Sequence, residues 1–84
     1  FPTPILYLSA LIELQLGANR LTSIPSEISR LTTLEILYLG DNRLTSIPDS
    51  IGSLPNLSAL ALAQNKLETL PDSLAGLYSL RTLT

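Results

Sequence analysis

Leucine recurs along this chain in columns. Shifted against itself by 23 residues, the chain aligns Leu8, Leu31, Leu54 and Leu77, then Leu11, Leu34, Leu57 and Leu80, without a gap. The next columns are Leu14, Leu37, Leu60 and Leu83; Leu16, Leu39 and Leu62; Asn19, Asn42 and Asn65; and Leu21, Leu44 and Leu67. Ile24, Ile47 and Leu70 then precede Pro25, Pro48 and Pro71, and Ile28, Ile51 and Leu74 stand three places after each proline. Phe1, Pro2 and Ile5 occupy the places of Ile24, Pro25 and Ile28 one period earlier. Residues 1–7 are therefore expected to be the tail of a preceding repeat, 8–30, 31–53 and 54–76 full repeats, and 77–84 the start of a truncated one.

Leu8, Leu11 and Leu14 are spaced by three and would suit one face of a helix. Three features exclude that. The step from Leu14 to Leu16 is two residues, Gly17 and Asn19 are poor helix formers, and Pro25 would delete a hydrogen bond if a helix ran on. The step of two predicts a strand with Leu14 and Leu16 on one side and Glu13, Gln15 and Gly17 on the other. Each repeat then carries seven inward apolar residues, in the second Leu31, Leu34, Leu37, Leu39, Leu44, Ile47 and Ile51. A single coil leaves both its apolar sides open, so one repeat should not fold alone and stability must come from stacked neighbours. Leucines at the two ends of this segment are expected to be open, and the isolated piece to self-associate or unfold.

The pattern L-x-x-L-x-L-x-x-N-x-L, held over the whole chain, resembles the leucine-rich repeat. That resemblance implies an α/β solenoid, a right-handed horseshoe arc with a parallel β-sheet on its concave face and short helical turns on its convex face. The continuation N-x-L-x-x-I/L-P-x-x-I/L-x-x-L and the period look most like the intracellular Ras-group repeats of signalling scaffolds, including the LAP-type scaffolds and related plant proteins. The extracellular plant-receptor type usually has a longer period and a glycine two places before the Ile-Pro pair, where this chain has Thr22, Thr45 and Glu68. By the same resemblance Asn19, Asn42 and Asn65 form an asparagine ladder, buried amides that bond the backbone of adjoining coils. Pro25, Pro48 and Pro71 would each set the first position of a convex helical turn.

Composition narrows the chemistry. Hydrophobic residues are 45% and charged residues 14% of the chain, too apolar for disorder, yet no apolar run approaches the ~20 residues of a membrane span. The net charge is -2, which gives no cationic footprint for nucleic acid. Neither nucleic acid nor a membrane is the expected partner. Cysteine is absent, which removes disulfides and thiolate metal sites and favours a reducing compartment, the cytoplasm under the subgroup resemblance. Histidine is absent too, and with it the commonest general base and metal ligand. The serines and threonines have no His or Cys to activate them, there is no glycine-rich phosphate loop, and Glu13 and Glu35 face an open groove. No catalysis, cofactor or metal is expected of these residues. The family is often fused to a kinase, GTPase or ubiquitin ligase, in which case the repeats would be its sensor or targeting arm. Methionine is absent even at position 1 and no charged-then-apolar leader follows, so Phe1 is expected to be an excision point or processed end, with further repeats or caps of the parent at both ends.

Variable strand positions are where binding would be written. Their columns read Ile12, Glu35, Ser58 and Arg81; Glu13, Ile36, Ala59 and Thr82; Gln15, Tyr38, Ala61 and Thr84; Gly17, Gly40 and Ala63; and Ala18, Asp41 and Gln64. Tyr38 is the only large aromatic among them, and tyrosine offers contact area at little rotamer cost. It is the expected anchor for a protein partner, flanked by Glu35, Ile36 and Asp41, with Glu13, Gln15 and Arg81 completing the candidate set. Arg20, Arg43 and Lys66 share a column that would make a basic stripe, diluted by Glu68, Asp49 and Asp72 and expected to be a solvated edge. Asn56-Leu57-Ser58 matches the N-glycosylation acceptor and would matter only in a secreted parent. The expected function is a non-enzymatic scaffold that binds a protein on its concave face. The alternative is a purely structural stretch of a longer array.

Overall fold

The computed structural model of the chain describes residues 1–8, 10–77 and 82–83. Four strands, β1 (Glu13–Gln15), β2 (Ile36–Tyr38), β3 (Ala59–Ala61) and β4 (Thr82–Leu83), alternate with four 3-10 helices. The helices are η1 (Thr3–Tyr7), η2 (Ser26–Arg30), η3 (Asp49–Ser53) and η4 (Asp72–Gly76). Successive strands begin 23 residues apart, as do successive helices. The strands form one parallel sheet in the order β1-β2-β3-β4. Leu14 pairs with Leu37, Leu37 with Leu60 and Leu60 with Leu83, so the inward column of the sequence is also the register of the sheet. Strands this short follow from the L-x-L step, the only stretch in which alternation places every second side chain in the core. Backbone pairing nevertheless runs past them. Glu35 N donates to Ile12 O at 2.7 Å, Leu16 N to Tyr38 O at 2.9 Å, and Ala18 N to Gly40 O at 3.0 Å.

The helical turns are all of the 3-10 type, and no α-helix occurs among the described residues. Five residues such as Ser-Glu-Ile-Ser-Arg or Asp-Ser-Ile-Gly-Ser are too few and too rich in competing hydroxyls and carboxylates to propagate an α-helix. The prolines sit one place earlier than the sequence suggested. Pro25, Pro48 and Pro71 are the N-caps, in extended conformation with ψ of 149, 148 and 142 degrees. At the N-cap the proline carbonyl is used rather than the first helical angle: Pro25 O accepts from Ile28 N, and Pro48 O from Ile51 N, both at 3.1 Å. That bond turns Ile28 and Ile51 inward, where both are fully buried.

The core is a stack of leucines, complete only in the middle. Leu31, Leu34, Leu37, Leu39, Leu44 and Ile51 have no solvent exposure, because a coil lies on each side. In the outer coils Leu8, in the column of Leu31, is 52% exposed, and Leu70, in the column of the buried Ile47, is 46% exposed. On the convex side the coils are joined by hydroxyls, with Ser50 Oγ donating to Ser26 O at 2.6 Å and Ser73 Oγ to Asp49 O at 2.7 Å. There η3 and η4 approach so closely that a Cβ on Gly52 would lie 2.4 Å from Ser73 O. Arg30 on η2 lies over the ring of Tyr7 at 5.4 Å, a cation-π contact between consecutive turns.

Candidate functional site

The asparagines govern how each strand ends. Asn42 is buried, and its Oδ1 accepts from Asn19 N at 3.1 Å and Leu21 N at 2.9 Å of the preceding coil. Its Nδ2 donates to Leu16 O at 3.0 Å across the coils and to Leu39 O and Gly40 O at 2.8 and 3.2 Å within its own. Asn65 repeats the arrangement, accepting from Leu44 N at 3.0 Å and donating to Leu39 O and Leu62 O at 2.9 and 3.0 Å. Asn19, the third expected rung, is different. It is exposed, and among the described residues its amide donates to Gly17 O at 3.0 Å in its own turn.

The residue before each asparagine takes a left-handed conformation, with φ of 59 degrees at Ala18, 55 at Asp41 and 59 at Gln64. This is the bend that aims the asparagine inward. Asp41 therefore stands in the turn after β2 rather than on the strand, and aspartate tolerates that backbone better than alanine or glutamine. Arg20 is also left-handed, at 57 degrees. Its counterparts Arg43 and Lys66 are held by backbone bonds to Leu21 O and Leu44 O, at 2.8 and 2.9 Å, for which Arg20 has no equivalent in this chain.

On the outward side of the sheet, register places Gln15, Tyr38 and Ala61 abreast, and Glu13, Ile36 and Ala59 abreast. Tyr38 is 38% exposed, its ring standing beside the much lower Ala61. Glu13 and Gln15 are exposed and bonded to each other, the Gln15 amide donating to the Glu13 carboxylate. Glu35 is divided in its roles. Its backbone carbonyl accepts from Ser58 N, Ala59 N and Ser58 Oγ at 2.8, 3.1 and 3.1 Å, while its carboxylate is exposed. The fold thus gathers Glu13, Gln15, Glu35, Ile36 and Tyr38 on one face with Asp41 at its margin. Arg81 lies outside the described residues. Ile12, exposed beside Glu35 and left out of the candidate set, belongs to this face; its place in the Glu35 column was the signal. Asn56 is exposed, and its amide donates to Thr32 O at 3.0 Å, tying the turn before β3 to the preceding coil. Among the described residues no group of three His, Cys, Asp or Glu is placed to hold a metal ion.

A family model described as leucine rich repeat matches residues 32–84, and one for leucine rich repeats in two copies matches residues 9–51. The chain belongs to the leucine-rich repeat family. Among solved structures it is similar to a leucine-rich repeat protein of Leptospira interrogans, at 40% identity and a TM-score of 0.93 over 95% of this chain and 20% of that one. It is also similar to an internalin of Listeria monocytogenes, at 26% identity and a TM-score of 0.57 over 99% of this chain and 31% of that one. The chain thus spans about a fifth of the length of the first and under a third of the second. No curated protein matches it. The matches are to the family as a whole and select no subgroup within it.

Proposed function

We propose that these repeats are a non-enzymatic scaffold whose concave face takes a partner protein, with Tyr38 as the anchor and Glu13, Gln15, Glu35, Ile36 and Asp41 around it. One observation carries the reading. Tyr38 exposes its ring on a sheet whose opposite side is already closed by leucine, and its hydroxyl bonds nothing among the described residues. A large aromatic held on a rigid strand, with no part in the core, is the kind of residue that dominates binding energy when a partner covers it. The parallel sheet supports this by fixing the backbone beneath the face, so a partner meets a surface that loses little freedom on binding.

The test uses the intact protein that carries these repeats. A photo-crosslinking residue at position 38 should capture a discrete partner that the same residue at position 27, on the convex side, does not. With that partner purified, Tyr38→Ala and Glu35→Arg should each weaken binding about tenfold or more, about 1.4 kcal/mol, and leave the melting temperature unchanged. Capture from position 27 alone, or binding indifferent to both substitutions, would overturn the reading in favour of a structural array segment.

A further inference from the structure

The convex side of the stack is not closed evenly. Ser50 Oγ reaches Ser26 O at 2.6 Å and Ser73 Oγ reaches Asp49 O at 2.7 Å, so the second residue of η3 and of η4 clasps the first residue of the helix before it. η3 and η4 are drawn closer still at Gly52, where a Cβ would lie 2.4 Å from Ser73 O. The clasp fails at the joint between η1 and η2. Glu27, exposed, stands there in the place that Ser50 and Ser73 hold one and two periods later. Carboxylate oxygens accept and do not donate, and Glu27 takes a bond from Ser26 Oγ of its own helix at 2.8 Å instead of reaching Thr3 O. Among the described residues the polar contact that crosses from η2 to η1 is the Arg30 guanidinium over the exposed Tyr7 ring, 5.4 Å from its centre. Such a contact holds anywhere within about 6 Å of the ring, whereas a hydroxyl bond demands about 2.7 Å.

The sheet side of the same two coils is pinned. Glu35 N and Ile36 N both donate to Ile12 O, Leu16 N donates to Tyr38 O, and Asn42 bonds Asn19 N, Leu21 N and Leu16 O. Those bonds hold the strands about 4.8 Å apart along their length and at the turn after it. With one side fixed, the coils can part only on the other, and parting there bends the arc more sharply. The curvature of a solenoid is the small rotation from one repeat to the next. Between η2 and η3, and between η3 and η4, a serine clasp limits that rotation; between η1 and η2 the looser Arg30 and Tyr7 contact stands in its place.

We propose that the joint between η1 and η2 is a hinge in the arc, set by Glu27 in the place where the later coils carry serine, while η2, η3 and η4 move as one block. Opening it on the convex side leans Gln15 and Tyr38, abreast on the sheet, toward each other. The hinge itself stands apart from the concave-face reading above. Its use, to close β1 over a partner seated on β2, rests on that reading.

The test uses the intact protein that carries these repeats. Spin labels are placed on the exposed first residues of the helices, at Thr3 and Ser26 across the first joint, or at Ser26 and Asp49 across the second. The first pair should give the broader spread of distances. Glu27→Ser supplies the missing hydroxyl and should narrow that spread to the width of the second pair; Glu27→Ala, which removes the carboxylate without adding a donor, should leave it broad. In amide exchange of the unlabelled protein, Glu27→Ser should slow the Ile5 and Leu8 N-H groups of η1 about fivefold relative to Glu27→Ala, the factor that one hydrogen bond of ordinary strength makes. Ser50→Ala should speed the Ile28 and Ile51 N-H groups by a similar factor. Equal spreads at the two joints, or Glu27→Ser and Glu27→Ala alike in both measurements, overturn the proposal. Partner affinity then separates the hinge from its use: if the hinge is found and Glu27→Ser leaves binding unchanged, closure over a partner is overturned and the hinge stands.

Discussion

At the scale of single residues, position in the stack separates side chains that the repeat pattern makes equivalent. Asn42 makes five hydrogen bonds and is buried, whereas Asn19 makes one from its side chain and is exposed. Asn42→Ala strands the Leu21 N-H and the Leu16 carbonyl away from water, and should cost about 2–3 kcal/mol in urea unfolding of the intact protein. A loss under about 0.5 kcal/mol, the range of ordinary exposed positions, would mean that the ladder is not the source of the effect. Gln64 gives the opposite sign. Its φ of 59 degrees is strained for a residue with a Cβ, by about 1–2 kcal/mol, and glycine relieves this at an added entropy cost of about 0.5–1. Gln64→Gly should therefore stabilise slightly, by up to about 1 kcal/mol, in the same measurement.

At the scale of elements, the sheet and the convex helices are joined by different chemistry. Strands join through backbone pairing that every residue type except proline supports. The 3-10 helices join through Ser50 and Ser73 and through close approach at Gly52. A methyl group at position 52 would meet backbone of η4 at 2.4 Å, which a side-chain rotation cannot relieve. Gly52→Ala should destabilise by about 1–3 kcal/mol and speed amide exchange in η3 and η4 before it does so in the sheet. Gly40 is a useful comparison, since a Cβ there meets Ala63 O at 3.3 Å and a small shift suffices. Gly40→Ala should cost less than half as much.

At the scale of the whole molecule, these 84 residues leave apolar side chains of their first coil uncovered. Tyr7, 75% exposed, and Leu8 line a cleft with Ala10 and Leu11, beside the unpaired edge of β1. An apolar end face next to a free strand edge is a template for association. The 84-residue piece produced alone should associate in sedimentation experiments as its concentration rises, and Leu8→Arg should reduce that association. A monomer at every concentration would show that the end face is closed in solution.

The period, the strands at the L-x-L steps, the sidedness of Leu37 against Tyr38, and the inward columns were all legible in the sequence. Alternation along a strand is local, and repetition confirms it coil after coil. Tertiary structure alone decided which backbone groups each rung of the asparagine ladder bonds, Asn42 reaching Asn19 N, Leu21 N and Leu16 O of the preceding coil. It also placed the prolines at the N-caps, made Ser50 and Ser73 bridges, and put Asp41 in a left-handed turn. The candidate face was legible as a set of columns, and the strand register sets Tyr38 directly beside Ala61 and Gln15. In a solenoid, burial and contact belong to the stack: a residue acquires them from the coils on either side, which lie a full period away along the chain.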